Sequence, residues 1–392
     1  MKQMPKIAST KQTHDNGTLS LWGEQSAEEH ADYLTRQLIT YLGNKRSLLG
    51  PIGAAVEKVK LRLGGKSRIR ILDAFAGSGV VSRFFKKHAS LLVSNDFEDY
   101  AAVVARCFLQ NRSTLNLKLL SEVVADLNAT VERTRSVGFI ERLYAPRDDA
   151  KITEHDRVFY SRQNAARLDA YRQLIDDTPL AFRDSLLGPL LSEASVHANT
   201  SGVFKGFHKN PTTGLGQFGG GGADALSRIL GEIRLETPIL SRFDCDVDVR
   251  QSDANALACI APEVDLTYLD PPYNQHPYGS NYFMLNLLVN YREPQAVSRV
   301  SGIPEGWQRS DYNVRALALP RLRDLVETVK SKFLLLSFND EGFITPGDLR
   351  DTLGRVGKVD VLEYRYNTFR GSRNLSGRSM HVVEQLFLVE KR

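Results

Sequence analysis

The sequence predicts an α/β fold: a doubly wound, mostly parallel sheet with an antiparallel hairpin at one edge and an inserted, mainly helical module. Three observations support this fold class. Strand and helix patterns alternate from Arg68 onward, and such alternation favours parallel strands with helices on both faces. The alternation stops over residues 121–244 and then returns. The last two strand-like segments have no long helix pattern between them, which indicates an antiparallel pair.

The composition is that of a soluble globular protein. Of the 392 residues, 42% are hydrophobic and 25% are charged, which allows a large buried core. No apolar run approaches the ~18 residues that a membrane span needs, and residues 1–30 are polar. We therefore expect neither a membrane anchor nor a signal peptide, and we expect a cytoplasmic location. The net charge of +5 permits a polyanionic partner. The cysteines, Cys107, Cys245 and Cys259, lack paired ligand spacing, so we expect reduced thiols and no cysteine zinc site.

Four segments are predicted along the chain. Residues 1–32 form a polar N-terminal arm, and residues 33–120 and 245–392 form the two halves of one domain. Residues 121–244 form the insertion, which contains two helix patterns and a glycine-rich run. The helix patterns of the insertion cover Ser161–Ile175 and Leu186–Val196, and strands of the two halves are expected at Ile69–Ala74, Leu91–Val93, Val247–Gln251, Asp265–Leu269, Phe333–Phe338, Val359–Tyr366 and Val383–Val389.

A glycine-containing turn follows the first predicted strand. Asp73-Ala-Phe-Ala-Gly77-Ser-Gly79 lies between a strand and a helix, where glycines let a ligand approach the backbone. Asp96 ends the next strand, at a spacing that allows a carboxylate to accept both hydroxyls of a ribose. The turn lacks the third glycine of a dinucleotide-binding loop. Two alternatives stay open: the turn is only a tight connection, and Asp96 only caps the following helix.

The most specific motif is Asp270-Pro271-Pro272-Tyr273, which comes directly after the apolar strand Val264–Leu269. Open α/β sheets bind ligands at the carboxyl ends of their strands. Proline has no amide hydrogen, so carbonyl groups in this turn stay available to a substrate amino group. Asp270 can accept one amino hydrogen and the Pro271 carbonyl the other, while Tyr273 offers a face for stacking. A rigid turn without chemistry is the alternative.

These motifs resemble those of amino-group DNA methyltransferases. Asp270 to Tyr273 resembles their catalytic tetrapeptide, and Asp73 to Gly79, which includes Phe75, resembles their cofactor loop. Residues 41–49, Tyr-Leu-Gly-Asn-Lys-Arg-Ser-Leu-Leu, look like the segment ahead of that loop in the Dam-like adenine methyltransferase family. An aromatic residue and a lysine of that segment contact S-adenosylmethionine in the family. The resemblance therefore implies that Tyr41 and Lys45 contact this cofactor, although Lys45 taken alone would more often be a solvated start of a helix.

The resemblance also implies the remaining cofactor site and the architecture. An acidic residue ahead of the catalytic strand binds the cofactor adenine in this family, which implies that role for Asp253. The order of cofactor loop, insertion and tetrapeptide is that of alpha-type members, so residues 121–244 are expected to be a target-recognition domain on a Rossmann-like methyltransferase sheet. Residues 366–373 look closest to methylases of type II restriction-modification systems. The insertion is longer than in compact Dam members, so the recognised sequence is not predicted.

The expected activity follows from this resemblance. The protein would transfer a methyl group from S-adenosylmethionine to the exocyclic amino group (adenine-N6) of a flipped adenine in duplex DNA, without a metal. Asp270, Pro271, Pro272 and Tyr273 would be catalytic, with Asp270 also close to the cofactor, and a separate cognate restriction endonuclease is a candidate partner. The cofactor-binding residues would be Tyr41, Lys45, Asp73, Phe75, Gly77, Gly79, Asp96 and Asp253.

Basic side chains in two other segments are candidates for DNA contacts. Lys205 and Lys209 lie in a stretch of the insertion that mixes polar, aromatic and basic residues. Arg370 and Arg373 lie in a basic stretch near the C-terminus. A packed helical subdomain and a solvated loop are the respective alternatives.

Two other functions stay open at this stage. The same tetrapeptide geometry serves any planar substrate that carries an NH group, so an RNA or cytosine-amino methyltransferase is the first. A DNA-binding relative without turnover is the second, although the candidate side chains Lys45, Asp96, Asp253 and Asp270 are all present. The absence of a Pro-Cys motif argues against methylation of a cytosine ring carbon.

Overall fold

A computed structural model of the chain describes residues 28–134, 137–220, 223–339, 342–367 and 381–392. Most of the predicted N-terminal arm and the whole basic stretch with Arg370 and Arg373 lie outside the described residues.

Within the described residues, seven strands form one sheet in the order β3-β2-β1-β4-β5-β7-β6. Strands β1 to β5 pair in parallel, and β7 runs antiparallel to both β5 and β6. The predicted doubly wound sheet with an antiparallel hairpin at one edge is therefore confirmed. The strands are β1 (Ile69–Asp73), β2 (Ala89–Asp96), β3 (Asp246–Gln251), β4 (Val264–Leu269), β5 (Ser331–Asn339), β6 (Gly357–Asn367) and β7 (His381–Lys391).

Helices cover both faces of the sheet and make up most of the insertion. Short 3-10 turns occupy Arg46–Leu48, Arg112–Thr114 and Asp311–Asn313. The α-helices of the described residues are α1 (Ala31–Thr35), α2 (Leu49–Arg62), α3 (Val80–Phe85), α4 (Asp99–Phe108), α5 (Leu117–Arg133), α6 (Phe139–Tyr144), α7 (Arg162–Asp176), α8 (Leu180–Val196), α9 (Ala223–Leu230), α10 (Ala254–Ile260), α11 (Tyr278–Asn281), α12 (Phe283–Asn290), α13 (Arg315–Thr328) and α14 (Pro346–Val356).

The central strands are buried on both faces, as their apolar sequences require. Every residue of β4 is buried, including Asp265 and Thr267, and such strands occur where helices cover both sides of a parallel sheet. β4 pairs with β1 so that Asp73 lies opposite Tyr268. The chain segments that leave β1 and β4 therefore start side by side at the carboxyl edge, where the strand order reverses and open α/β sheets form a crevice.

The insertion shares a hydrophobic core with the catalytic half of the chain. Buried apolar side chains of α4, α5, α7, α8 and α12 form one continuous cluster. The fully buried guanidinium of Arg172 on α7 donates to the Leu288 carbonyl (2.7 Å) and the Val289 carbonyl (3.2 Å) near the end of α12. Helix α5 runs across the predicted boundary at residue 120. The insertion therefore positions the helix that follows the catalytic tetrapeptide.

The structure also shows the state of the cysteines, the burial of His197 and the character of the described helices. All three cysteines are free, with Cys107 and Cys245 buried and Cys259 exposed. His197 at the end of α8 is largely buried: Nδ1 lies 2.6 Å from the Arg228 carbonyl and Nε2 lies 3.3 Å from Glu193. None of the described helices is long and apolar enough to span a bilayer.

The contact between α8 and α4 yields the first prediction. A Cβ at Gly188 would lie 2.5 Å from Cys107 Sγ and 2.6 Å from its Cβ. We expect Gly188→Ala to lower the free energy of unfolding by about 1–3 kcal/mol, because two packed helices must separate. Urea unfolding measures this change. Gly50→Ala on α2 is the control, since no atom lies within 4 Å of its Cβ position and no loss is expected. Equal stability of Gly188→Ala and the parent chain would contradict this packing.

Candidate active site

A cavity of about 880 Å³ lies at the carboxyl edge of the sheet. Its walls are the segments that follow β1, β2, β3 and β4, together with residues 41–45. Asp73 and Gly79 lie outside the lining, and the predicted site residues that the structure brings together here are Tyr41, Lys45, Phe75, Gly77, Asp96, Asp253, Asp270, Pro271, Pro272 and Tyr273.

Asp73 is fully buried behind the cavity wall. Ser82 on α3 donates a 2.6 Å hydrogen bond from Oγ to its Oδ2. Burial raises the pKa of Asp73 to about 7, against the lowering effect of this hydrogen bond. Asp73 therefore holds the first turn of α3 to the end of β1, which fixes the loop that does face the cavity.

Gly77 shapes that loop. Its φ of +53° favours glycine, and a Cβ there would lie 2.9 Å from the Tyr41 ring. Its amide donates a 2.7 Å hydrogen bond to Asp96 Oδ2. Glycine thus lets the loop pass between an aromatic ring and a carboxylate that both line the cavity.

Asp96 has a structural role and also lines the cavity. Its Oδ1 accepts a hydrogen bond from the Glu98 amide at the start of α4 (3.0 Å), in addition to the bond from Gly77. Burial raises the pKa of this carboxyl. Each carboxylate oxygen can accept a second hydrogen bond, so the helix-start function and the ribose-binding function proposed for Asp96 are compatible.

Asn95 ties three of the cavity segments together and was missed by sequence reasoning. Its Nδ2 donates to the Ala74 carbonyl (3.1 Å) and to the Ser252 carbonyl (3.0 Å). Asp253, which follows Ser252 in the chain, accepts hydrogen bonds from the Asn255 and Ala256 amides and so caps α10. Only the pairing of β2 with β1 and β3 brings these backbone groups together, so no local pattern identifies Asn95.

Lys45 joins the segment at residues 41–45 to the catalytic tetrapeptide. Its side chain is 3% exposed, and Nζ lies 3.2 Å from Asp270 Oδ1 and 5.9 Å from the centre of the Tyr273 ring. The alternative interpretation of Lys45, a solvated start of a helix, is therefore wrong. Helix α2 begins later, at Leu49. The buried ion pair sets the position of the Asp270 carboxylate within the cavity.

Neighbouring side chains hold the tetrapeptide from several sides. The Tyr273 ring packs edge-on against Phe338 with ring centres 6.1 Å apart, and the Tyr273 carbonyl accepts a 2.9 Å hydrogen bond from the Phe343 amide. Asn313 Nδ2 donates to the Asn274 carbonyl (2.8 Å). These contacts hold the turn after β4 in a fixed position.

Aromatic and acidic residues complete the wall, and sequence reasoning missed two of them. Tyr278 stacks on Tyr41 with ring centres 5.1 Å apart. Glu98 is buried beside the cavity, and burial raises its pKa to about 7, against the hydrogen bond that Asn286 donates to it. Among the described residues, no group of three or more His, Cys, Asp or Glu side chains is placed to hold a metal ion.

Two candidate DNA-contacting residues, Lys205 and Lys209, lie in the described part of the insertion. Lys205 is exposed, and the pKa of His276 is lowered by burial and by the charge of Lys205. Lys209 is also exposed, with Nζ 5.5 Å from the centre of the Phe207 ring. Phe204, an aromatic residue of the same mixed stretch, is 2% exposed, and its amide donates to the Asn281 carbonyl. Phe204 therefore belongs to the shared core and does not face solvent.

Comparison with known families agrees with this geometry. The family model described as D12 class N6 adenine-specific DNA methyltransferase matches residues 41–301. The chain belongs to this family. The match begins at Tyr41 and includes the loop after β1, the insertion and the tetrapeptide. It confirms the predicted class of enzyme, an adenine-specific DNA methyltransferase, and sets aside the cytosine and RNA alternatives.

Individual relatives are similar over most of the chain. The type II methyltransferase M.NlaIII of Neisseria lactamica is 29% identical over 81% of this chain and 90% of its own length. The type II methyltransferase M.CviAII of Paramecium bursaria Chlorella virus 1 is 26% identical over 90% of this chain and 98% of its own length. The modification methylase StsI of Streptococcus sanguinis is 27% identical over 90% of this chain, which spans only 52% of that relative.

The buried carboxyl of Asp73 gives a prediction for stability against pH. Because its pKa is about 7 in the folded protein and 3.8 in a model compound, the folded protein keeps a proton that the unfolded chain loses first. The free energy of unfolding therefore decreases as the pH rises from about 4 to about 7. Asp73→Asn cannot titrate, so the stability of the parent chain relative to the variant should fall by up to about 4 kcal/mol over this interval. Urea unfolding of both proteins across the interval measures it, and a constant difference would contradict the shift.

Proposed function

We propose that this D12-class enzyme transfers a methyl group from S-adenosylmethionine to N6 of an adenine extruded from duplex DNA, as the modification enzyme of a restriction-modification system. The observation that carries the proposal is the ion pair between Lys45 and Asp270 inside one cavity. It joins the segment expected to contact the cofactor to the tetrapeptide expected to bind the target base.

The residues that line the cavity fit S-adenosylmethionine in their chemistry. Gly77 leaves the loop after β1 without a side chain at the cavity wall, where a Cβ would lie 2.9 Å from the Tyr41 ring. Asp96 would accept the ribose hydroxyls and Asp253 the adenine amino group. Phe75 lines the same wall, held edge-on by Tyr312 with ring centres 5.3 Å apart. When bound, the cofactor supplies a methyl group on a sulfonium, which is already a strong electrophile.

The tetrapeptide would orient the target amine. Asp270 accepts one amino hydrogen and the Pro271 carbonyl accepts the other, which directs the nitrogen lone pair toward the cofactor side of the cavity. Lys45 holds the Asp270 carboxylate in place, and the Tyr273 ring provides a stacking face for the base. Because the methyl acceptor is held by hydrogen bonds, the residues act by positioning and by excluding water.

The biological role rests on the relatives. M.NlaIII and M.CviAII are named type II methyltransferases, and StsI is named a modification methylase. A modification enzyme protects a DNA sequence from a cognate endonuclease, which would be a separate protein here. The insertion would supply sequence recognition, and this is supported by the position of exposed Lys205 beside the turn after the tetrapeptide.

Methyl transfer itself tests the proposal. Asp270→Ala should lower transfer of labelled methyl from S-adenosylmethionine to duplex DNA to less than about a tenth of the parent rate, while cofactor affinity changes only a few-fold. Nucleoside analysis of the product should find the label in adenine, and calorimetry measures the cofactor affinity. Asp360→Ala is the control and should keep full activity, because Asp360 is a half-buried carboxylate on edge strand β6 that pairs with Arg62 and does not line the cavity. Label in cytosine, or a fully active Asp270→Ala, would contradict the proposal.

A second measurement addresses the insertion. Lys205→Ala and Lys209→Ala should each weaken DNA binding and reduce its dependence on salt by about one ionic contact, with little effect on the rate at saturating DNA. Fluorescence anisotropy over a range of salt concentrations gives the slopes. Lys58→Ala is the control, because Lys58 lies near the amino edge of the sheet, opposite the cavity. Its neighbour Glu57 contacts His88. The His88 carbonyl in turn accepts a hydrogen bond from the first residue of β1. If both lysine variants keep the parental slope of log affinity against log salt, the residues that contact DNA lie outside this stretch of the insertion.

A further inference from the structure

A segment after the catalytic tetrapeptide lies at the mouth of the cavity and has no role in the function proposed above. We call residues 307–315 the post-catalytic segment. Ser310 and Asn313 of this segment line the cavity, and Asn313 donates its hydrogen bond to the Asn274 carbonyl, one residue beyond the tetrapeptide. The whole segment lies beyond residue 301, where the match to the family model ends.

The segment and the loop before it are held between the insertion and the catalytic turn. On the catalytic side, the Gln308 carbonyl occupies the space where a side chain at Gly279 would begin. On the insertion side, the Tyr144 hydroxyl donates a 2.8 Å hydrogen bond to the Gly302 carbonyl. Arg157 donates to the Ser298 carbonyl at 3.3 Å. The loop is therefore a defined surface between the two parts.

Three side chains of the segment point away from the core. Trp307 is 38% exposed, and Arg309 and Arg315 are exposed. The Arg315 guanidinium lies 4.9 Å from the centre of the Phe343 ring, whose amide bonds to Tyr273. Among the described residues, no carboxylate lies within ion-pair distance of Arg309 or Arg315. Arg309 donates a 3.4 Å hydrogen bond to the Asn313 carbonyl, so both arginines place positive charge close to the turn after β4.

The geometry favours DNA as the occupant of this surface. An adenine that enters the cavity brings its flanking nucleotides to the surface around it, and the post-catalytic segment borders the cavity through Ser310 and Asn313. Guanidinium groups bind phosphates with two parallel hydrogen bonds, and an indole ring stacks on bases of any sequence. Asp311, the acidic residue of the segment, is neutralised by Arg321 at 2.6 Å. The surface is thus positive and aromatic, as the nucleotides next to an extruded base require.

We propose that the post-catalytic segment is a second DNA-contacting surface, with Arg309 and Arg315 on phosphates next to the target adenine and Trp307 stacked on a neighbouring base. This inference rests on the proposed function, because it needs the target base to enter the cavity. It differs from the assignment of recognition to the insertion. The segment positions the nucleotides beside the adenine, whereas the insertion reads the surrounding sequence.

Tryptophan fluorescence tests the position of Trp307 directly. The chain contains two tryptophans, Trp22 and Trp307, so Trp22→Phe leaves Trp307 as the only indole. A saturating amount of a duplex that the parent chain methylates should lower the acrylamide quenching constant of this variant, because the bound DNA covers the ring. An unchanged quenching constant at saturation would overturn the role of Trp307.

The charge contribution is tested with the double variant Arg309→Ala/Arg315→Ala. Its slope of log affinity against log salt should be smaller than that of the parent by about two ionic contacts, with cofactor affinity unchanged by calorimetry. The matched control is Lys58→Ala/Lys330→Ala, since the Lys330 carbonyl bonds to the first residue of β4 at the amino edge of the sheet. A parental slope in the Arg309/Arg315 variant would overturn the proposal.

The two proposals fail in different ways. If the parent chain neither binds nor methylates duplex DNA, the proposed function fails and this inference fails with it. If the parent chain methylates DNA while both the quenching constant and the slope are unaffected, only this inference fails.

Discussion

The pairing of β1 with β4 is the constraint on which the rest of the site depends. Because Asp73 lies opposite Tyr268 in a parallel register, the turn after β1 and the turn after β4 begin next to each other. One turn carries the cofactor loop with Gly77, and the other carries Asp270. A register shift of one residue would reverse the facing of every side chain in β4, and burial on both faces of that strand makes such a shift costly. The chemistry of this family therefore depends on ordinary strand packing.

A second set of interactions holds the segments around the cavity at fixed distances. Asn95 bonds to backbone groups of two other segments, and Asp96 accepts two amide hydrogens. Lys45 reaches Asp270 from a segment that precedes the sheet. Polar groups buried in this way are stable only when their partners are present. The network thus fixes the cavity walls, and Asn95, Asp96 and Lys45 both hold these segments together and line the cavity.

The insertion is packed into the core of the protein. Its helices share one core with α4 and α12, and Arg172 caps the end of α12. Since α12 follows the tetrapeptide closely, the packing of the insertion bears on the position of the catalytic turn. The loop at residues 297–306 lies against the insertion through Tyr144 and Arg157. DNA held by the insertion would therefore be coupled mechanically to the catalytic side of the cavity.

The sequence by itself determined the fold class, the family and the two turns at the sheet edge. Those features are encoded locally: alternating strand and helix patterns set the parallel sheet, and Asp270 to Tyr273 stand directly after an apolar strand. Tertiary structure decided which side chains meet. Lys45 is buried against Asp270, Asp73 is hidden behind the wall, and Phe204 belongs to the core. Burial and ion pairing depend on residues far apart in the chain, so no local pattern specifies them, and the same reason kept Asn95 and Glu98 from being identified before the sheet was assembled.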